Sequence, residues 1–374
     1  MDKERRSVLK RIDIAGYKSI SQDRPQSIEL GDINIIIGAN GVGKSNIISF
    51  FKMLGYMMTK ALQQYVGENG FADNLLYMGA KRTPVMSARL EFKNSKMQDV
   101  YEFSLVKTVQ DSLIFSEESL AVNGKRYPLD GGHKESFLTS DSSVRPSEKI
   151  VKMILSKCRC FQFHDTSATS HIRGKCRIDD NHYLMSDAGN AAAVLYLLKT
   201  KPEYSGYYNR IVQFVSDIFP LFDDFVLEPQ RLNSSYINLS WRQKNSHEYV
   251  FGPEQFSDGS MRFIALAILF LAPPELLPNV IVIDEPELGL HPQAIDALCS
   301  MMRMASRSCQ IVLATQSTRI LDSFEPENII VAEMDRVSRS SVFKRLDGNT
   351  LAQWLDEYSL SQLLEKNIIG GLPL

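Results

Sequence analysis

The sequence predicts an α/β fold with a mixed core sheet and a flanking antiparallel region, and three observations support this. Run 33–37 is short, apolar and β-branched, and it leads through a glycine-rich turn into a helical pattern. A second apolar run, 280–283, ends at two adjacent acids. Short runs within 86–128 alternate apolar and polar residues, which is typical of antiparallel strands.

The elements follow in chain order. Residues 9–50 read as strand, turn, strand, glycine-rich turn and helix, and Asn123-Gly124 predicts a tight hairpin turn. The polar segment 131–147 is predicted to be a mobile loop. Residues 188–200 and 204–219 have helical periodicity and predict a helical lobe, with no heptad pattern for a long coiled coil.

Residues 38–45 complete the phosphate-binding pattern G-x-x-x-x-G-K-S. Its glycines let successive N–H groups point at one anion, and the following helix N-terminus adds partial positive charge. Lys44 can reach the β- and γ-phosphates, and the Ser45 hydroxyl can ligate Mg²⁺. The plainer alternative is a glycine-rich turn between a strand and a helix. The predicted ATP-binding residues here are Gly38, Ala39, Asn40, Gly41, Val42, Gly43, Lys44, Ser45 and Asn46.

The two acids that follow run 280–283, Asp284 and Glu285, are expected to complete the site that binds the phosphates. Adjacent carboxylates at the end of a buried strand are costly unless they meet a cation or a reacting water. Asp284 is expected to share Mg²⁺ with Ser45, and Glu285 to act as general base toward the attacking water. The alternative is a strand followed by an acidic helix N-cap.

The segment 256–262 reads Phe-Ser-Asp-Gly-Ser-Met-Arg and precedes an apolar helical run. Ser257 is a good N-cap, Gly259 permits close backbone approach, and a helix near Ser260 would offer its N–H groups to an anion. One chain cannot easily bring both this loop and the glycine-rich loop to the same nucleotide. Ser257 and Gly259 are therefore expected to bind ATP on a partner subunit.

In this order, the three motifs resemble the ABC-type ATPases. The sequences of the motifs are similar to those of the RecF/SMC-like group of bacterial predicted ATPases. This group is AAA-ATPase-like and is related to the ATPase part of overcoming-lysogenization-defect nucleases. The match is best in 256–263, 283–292 and 314–317, and it continues through 163–167 and from 354 to 371. The resemblance implies ATP and Mg²⁺ as cofactors, ATP-dependent dimerisation, and hydrolysis.

The resemblance covers nearly the whole chain and implies a single ABC-type ATPase domain, 1–374. Within it, the nucleotide-binding core is expected at 1–60 and 250–340. A β-rich flank and loop is expected at 61–160, a helical lobe at 161–249 and a C-terminal tail at 341–374.

Two positions depart from the ABC pattern. Asp258 replaces a signature glycine, and Gln316 stands where ABC ATPases commonly place a histidine against the γ-phosphate. Glutamine can hydrogen-bond a phosphate or water but cannot carry a proton charge, so hydrolysis is expected to be slow or partner-stimulated. His291, where the subunit-crossing loop is expected, could compensate or could be a turn residue before Pro292.

Other polar residues remain open. Gln162 and His164 are both candidates for the loop that senses Mg²⁺, and a simple polar turn is the alternative. Arg173 and Arg262 could face phosphate, or could be structural ion-pair or surface arginines. Cys158, Cys160 and Cys176, with histidines nearby, suggest zinc only weakly, because the C-x-C spacing lacks a second pair.

Composition restricts the class of protein. The net charge of −2 gives no global basic field for nucleic acid, although a local patch is open. The charged start lacks an apolar signal core, and the apolar run 263–274 is too short to span a membrane. Five scattered cysteines fit a reduced compartment, so a cytoplasmic protein is expected.

Three functions are consistent with these features. The first is an ATP-driven dimeric switch in DNA repair or antiphage defence that controls a separate effector. The second is a slow-hydrolysing sensor or scaffold that holds a toxin or nuclease partner, which Gln316 favours. The third, a transporter ATPase, is disfavoured by the Ser-Asp-Gly-Ser signature. The nuclease relatives carry a metal-binding Asp-x-Asp pair, and no such pair follows Asp284 here, so this chain is not expected to be a nuclease. If DNA or RNA is cut, a separate protein is expected to cut it.

Overall fold

The computed structural model describes residues 7–94, 98–140 and 145–371. The charged start and positions 141–144 of the predicted loop lie outside them. The described residues form two compact units. The first unit takes in the described parts of Met1–Cys160, Asn279–Val282 and Gln310–Leu374, and the second comprises Phe161–Pro278 and Ile283–Cys309. The single-domain interpretation remains a prediction.

The secondary structure is numbered along the described chain. Strands β1 to β17 are Val8–Ala15, Gln26–Glu29, Ile33–Ile37, Val85–Lys93, Gln98–Lys107, Leu113–Val122, Lys125–Pro128, Cys158–Phe161, Cys176–Arg177, Phe222–Val226, Tyr236–Ile237, Ser240–Gln243, Ser246–Phe251, Val280–Asp284, Gln310–Thr315, Ile329–Met334 and Ser341–Arg345. Helices α1 to α11 are Lys44–Met57, Leu62–Glu68, Phe71–Leu75, Pro146–Ser156, Ala191–Thr200, Ser205–Ile218, Asp258–Leu271, Pro292–Ala305, Thr318–Asp322, Gly348–Leu355 and Leu360–Glu365. Short 3₁₀ helices span Phe137–Thr139, His171–Arg173, Pro202–Tyr204, Pro253–Gln255 and Pro326–Asn328.

The core sheet has the strand order β17-β16-β3-β15-β14-β8. Its middle strand β3 is buried throughout and runs parallel to β15 and β16, whereas β17 is antiparallel to β16. Strand β14 begins in the first unit and ends in the second. A strand buried on both faces needs apolar residues at every position, which explains the unbroken isoleucine-rich run. The predicted mixed core sheet is confirmed.

The flanking sheet has the order β2-β1-β4-β5-β6-β7, and its neighbouring strands are antiparallel. Strand β4 alternates buried and half-buried residues, as a sheet with one covered face requires. Asn123 and Gly124 have φ values of 46° and 84° and form the expected hairpin turn between β6 and β7. The antiparallel region is confirmed.

One segment differs from its expected character. The predicted mobile loop 131–147 contains a 3₁₀ helix, and its Leu138 side chain is 1% exposed. The Ser136 hydroxyl donates to Glu118 Oε1 at 2.6 Å, and the Tyr101 hydroxyl donates to the same oxygen at 2.5 Å. Because these bonds join residues distant in sequence, local polarity gave no sign of them.

The second unit contains the helices α5 to α8. Helices α5 and α6 lie within the two predicted helical segments, and α7 begins at Asp258, two residues before the expected start. The predicted helical lobe 161–249 also contains four short strands, β9 to β12, and most of β13, none of which the sequence predicted. No helix of the described residues is longer than 14 residues. The absence of a long coiled coil is therefore confirmed for this part of the chain.

Candidate nucleotide-binding site

The glycine-rich loop lies where β3 passes into α1. Gly43 has φ of 103° and precedes the first helical residue, Lys44. A Cβ at this position would stand 2.1 Å from Ser341 Oγ and 2.6 Å from Ser19 Oγ. Both the left-handed backbone and the lack of space therefore require glycine, and the loop can turn its N–H groups toward one point.

The Lys44 side chain folds back over the loop. It is 5% exposed, and its Nζ donates to Gly38 O at 2.7 Å and to Ala39 O at 3.0 Å. A buried ammonium held by neutral carbonyls would gain from a phosphate anion, because charged acceptors form stronger hydrogen bonds. Ser45, at the next position, is exposed. This arrangement can accept a phosphate.

Two serines, Ser19 and Ser341, stabilise the loop, and the sequence analysis did not identify either of them. Ser341 Oγ lies 2.6 Å from Val42 O and 2.6 Å from Ser19 Oγ. The Asn46 side chain donates to the same Ser19 oxygen at 2.6 Å. Asn46, predicted to bind the nucleotide, thus anchors α1 to the residue Ser19. No sequence pattern links positions 19 and 341, so contiguous motifs could not reveal this brace.

The predicted switch residue lies beside the loop. Strands β15 and β3 pair in parallel with Thr315 opposite Ile37, so the residues that follow the two strands begin at the same edge of the sheet. Gln316 Nε2 donates to Asn40 Oδ1 at 2.6 Å. The side chain is therefore in place to hydrogen-bond a bound phosphate or water, and its catalytic role remains a prediction.

A segment near the end of the chain also contacts the loop. The Ala39 N–H donates to Gly371 O at 2.9 Å, and the Gly371 N–H donates to Glu333 Oε1 at 3.1 Å. Helix α11, just before this segment, is tied to α9 because Ser361 Oγ donates to Asp322 Oδ2 at 2.6 Å. The C-terminal residues thus help to hold the glycine-rich loop.

The acidic pair belongs to the second unit. Asp284 ends β14, and both Asp284 and Glu285 are half-buried. Glu285 has φ of 43°, a left-handed conformation that is uncommon for a residue with a side chain. Such strain persists only where the surroundings impose it, and it occurs often at functional sites. The sharing of Mg²⁺ between Ser45 and Asp284 remains a prediction, since the two residues lie in different units.

The signature loop caps helix α7. Ser257 is the N-cap, and its Oγ accepts the Ser260 N–H at 3.1 Å, as predicted for this serine. A Cβ at Gly259 would stand 2.7 Å from Gly289 O, so the close passage of that carbonyl requires glycine. Phe256 is 3% exposed and stacks on Trp241 with ring centroids 4.8 Å apart. This packing fixes the start of the helix.

Two arginines join the loops of the second unit through backbone carbonyls. Arg262 Nε donates to Phe163 O at 2.8 Å, and its terminal nitrogens donate to His164 O and to Leu288 O. Burial lowers the pKa of the Arg262 guanidinium from its usual value. Arg173 makes comparable bonds and also pairs with Asp258 at 2.9 Å. The sequence left open whether these arginines face phosphate or have a structural role. Within the second unit, both make structural contacts.

The remaining candidates lie on exposed turns. Gln162 and His164 are both exposed after β8, so the choice between them stays open. His291 is exposed and is the N-cap residue of α8, where its carbonyl accepts the Ala294 N–H at 2.8 Å. The backbone of His291 thus stabilises the turn that starts α8, whereas a catalytic role for its ring remains a prediction.

The weak zinc interpretation gains no support from the described residues. They contain no group of three or more histidine, cysteine or acidic side chains that could hold a metal ion. Burial raises the pKa of the Cys160 thiol to about 12, and its Sγ donates to Ile48 O at 3.6 Å.

Comparison with known proteins decides the family. Residues 33–322 match the model of the family described as "AAA domain, putative AbiEii toxin, Type IV TA system". The chain belongs to this family. The match spans the glycine-rich loop, the signature and the acidic pair, and it bears out the prediction of an ABC-type ATPase of the RecF/SMC-like group. No curated protein was found that resembles this member of the AAA family.

Solved structures with a similar fold include SMC head domains. One Smc head, bound to the C-terminal winged-helix domain of ScpA, has a TM-score of 0.60 at 16% identity, with 92% of this chain and 99% of that chain covered. A second, derived from Pyrococcus furiosus and bound to the C-terminal domain of ScpA, has a TM-score of 0.58 at 15% identity, covering 94% and 99%. The SMC head of Thermotoga maritima gives 0.50 at 16%, covering 91% and 99%. The likeness confirms the predicted fold class.

In the described part of the chain, none of the helices has both the length and the apolar character needed to cross a membrane.

Proposed function

We propose that this AAA-family chain binds ATP with Mg²⁺ and hydrolyses it, as one ATPase domain that works as an ATP-driven dimeric switch. The observation that carries the proposal is the glycine-rich loop, with the buried Lys44 folded over it and Gln316 bonded to Asn40. A loop that depends on Gly43 for its conformation and lies against the cation of Lys44 is suited to bind the phosphates of a nucleotide.

The chemistry is assigned by position. Ser45 and Asp284 would hold Mg²⁺, which would neutralise charge on the β- and γ-phosphates. Glu285 would orient and deprotonate the attacking water. Gln316 and His291 would assist at the γ-phosphate, and Gln162 would sense the metal. Ser257 and Gly259 would complete the site of the partner subunit.

The biological role is proposed at a coarser level. The family description names a toxin and a toxin–antitoxin system, and two similar SMC heads are bound to ScpA domains. The toxin–antitoxin description supports control of a separate effector protein, and we propose that the dimer exerts this control in a cytoplasmic, DNA-linked process such as repair or antiphage defence. Nucleic acid remains a possible ligand despite the net charge of −2.

A second candidate function has one observation in its favour. Gln316 cannot act as a charged or proton-carrying group at the γ-phosphate. A protein that hydrolyses ATP rarely could hold a nuclease or toxin inactive while ATP remains bound. A low turnover number with a long-lived ATP-bound dimer would favour this sensor, whereas rapid turnover would favour the switch.

Lys44→Ala tests the site itself. The variant removes the flexible cation that folds over the loop, so calorimetry should show no tight ATP binding. Lys52→Ala is the matched control because Lys52 lies on the same helix and is exposed, and its ATP affinity should equal that of the wild type. Unchanged affinity in Lys44→Ala would refute the assignment.

A further inference from the structure

The signature of this chain carries a negative charge at the place where a phosphate is expected. Asp258 is the first residue of α7, between the N-cap Ser257 and Gly259. Its carboxylate is 72% exposed and lies 2.9 Å from Arg173, whose side chain is only 7% exposed. The ion pair thus joins an exposed carboxylate, Asp258, to a buried guanidinium, Arg173.

Arg173 is fixed by the backbone around it. Its Nε donates to Thr166 O at 2.8 Å, and its terminal nitrogens donate to Pro253 O at 2.5 Å and to Phe256 O at 3.1 Å. These carbonyls hold the plane of the guanidinium, so the group that faces Asp258 cannot turn away without breaking them. Phe256 O immediately precedes Ser257, so the same arginine also holds the signature loop.

The charge at Asp258 has a direct consequence for nucleotide binding. A helix N-terminus attracts a phosphate through its N–H groups and its partial positive charge. A free carboxylate at the first helical position would repel that phosphate, and the repulsion is strong where water is excluded. A guanidinium 2.9 Å away offsets the charge, and because it is itself a donor it occupies none of the N–H groups of the helix.

We propose that Arg173 is a positioning residue of the signature loop, and that its guanidinium neutralises Asp258 so that an acidic signature can approach the triphosphate of the partner subunit. This inference rests on the proposed function, because it assumes that the signature meets ATP. It also gives the departure from the glycine of transporter signatures a physical meaning: the acid requires Arg173, and the loss of Arg173 costs more while the acid remains.

A double-mutant cycle tests the dependence. The variants are Arg173→Met, Asp258→Asn and the two combined. Arg173→Met should raise the KM for ATP and weaken ATP-dependent dimerisation by about tenfold or more, because the carboxylate is left uncompensated. Asp258→Asn should stay within about threefold of the wild type, since the amide keeps the shape of the side chain. The double variant should recover the part of the loss that is due to the uncompensated charge, and should therefore bind ATP clearly better than Arg173→Met.

Salt dependence separates charge from structure. Added salt screens exposed charges, so the defect of Arg173→Met should shrink as NaCl rises to about 0.5 M, whereas a packing defect would not respond. Arg177→Met is the matched control, because Arg177 forms an exposed pair with Asp179 in the same unit and should behave as the wild type. Arg173→Lys, which keeps the charge, should retain more activity than Arg173→Met and serves if the latter fails to fold.

The outcomes distinguish this inference from the proposed function. If the wild type neither binds nor hydrolyses ATP, the proposed function is wrong. If the wild type is active but the double variant is no better than Arg173→Met, and its defect is insensitive to salt, then Arg173 only braces the backbone and the neutralising role is overturned.

Discussion

At the scale of single residues, Glu285 combines a strained backbone with a candidate catalytic side chain. Its left-handed φ of 43° costs on the order of 1–2 kcal/mol for a residue with a Cβ. The residue follows directly on the last residue of β14, and its carbonyl accepts the Leu288 N–H at 3.3 Å in the turn beyond. The backbone of the candidate general base therefore forms the turn that follows β14.

Glu285→Gln should lower kcat for ATP hydrolysis by about 10²–10⁴, the usual contribution of a general base. The amide has nearly the same shape, so Mg²⁺-ATP affinity and the thermal midpoint should stay at wild-type values, and the ATP-bound dimer should accumulate. Stopped-flow phosphate release and calorimetry measure the two quantities. An unchanged kcat would shift the role of base to another residue, with His291 the next candidate.

Glu285→Gly separates strain from chemistry. Glycine adopts the left-handed conformation without penalty, so this variant should be inactive yet no less stable to denaturant than the wild type. A clear loss of stability would show that contacts of the Glu285 side chain outweigh its backbone strain.

At the scale of elements, the glycine-rich loop is held by segments remote in sequence. Strand β17 supplies Ser341 behind Gly43, and the segment after α11 supplies the Gly371 carbonyl to Ala39 N–H. Gly371 has φ of 90°, and a Cβ there would stand 3.1 Å from Leu364 and Val331 side-chain atoms. The loop conformation therefore depends on the C-terminal residues.

Gly371→Val should displace this segment and weaken ATP binding by about tenfold, because the Ala39 N–H loses a hydrogen bond of about 0.5–1.5 kcal/mol and the loop loses a support. A fluorescent ATP analogue measures the affinity. Gly132→Val is the control, since Gly132 has a similar φ of 85° but open space around its position. Equal affinities in the two variants would show that the C-terminal contact does not support the loop.

At the scale of the whole molecule, the proposed switch has two sites that each need two chains. ATP would bind the closed dimer better than the open subunits, and it can shift the equilibrium only by that difference. Ser257 caps α7 at an exposed helix end, so its face is accessible to another subunit. Arg173 donates to the carbonyl of Pro253, the first residue of the 3₁₀ helix before the signature, and to that of Phe256 just after this helix, and would keep this face in one arrangement.

Mixing Ser257→Arg chains with Lys44→Ala chains tests this geometry. Each variant should be inactive alone, whereas a mixed dimer has one site with an intact loop and an intact signature. Random mixing of a symmetric dimer should restore at most about a quarter of wild-type ATPase activity. Ser300→Arg, an exposed position on α8, is the bulk control and should be fully active. No recovery despite demonstrated mixed dimers would mean unshared sites or sites that act only together.

The sequence by itself determined those features that contiguous residues encode. The buried strand, the glycine-rich loop with Lys44, the Ser257 cap and the β6–β7 hairpin were each predicted because their pattern lies within a few positions. Family resemblance added the place of Gln316, and the parallel register of β15 and β3 puts it beside Asn40.

Only the tertiary structure decided which distant residues support those motifs. The hydrogen bonds of Ser341 to Val42, of Ala39 to Gly371 and of Arg173 to Asp258 join positions 299, 332 and 85 residues apart. The short strands β9 to β13 were missed for a related reason, since two- to six-residue strands are stabilised by partners rather than by their own periodicity. Single polar residues carry no local signal, and folding alone brings them together.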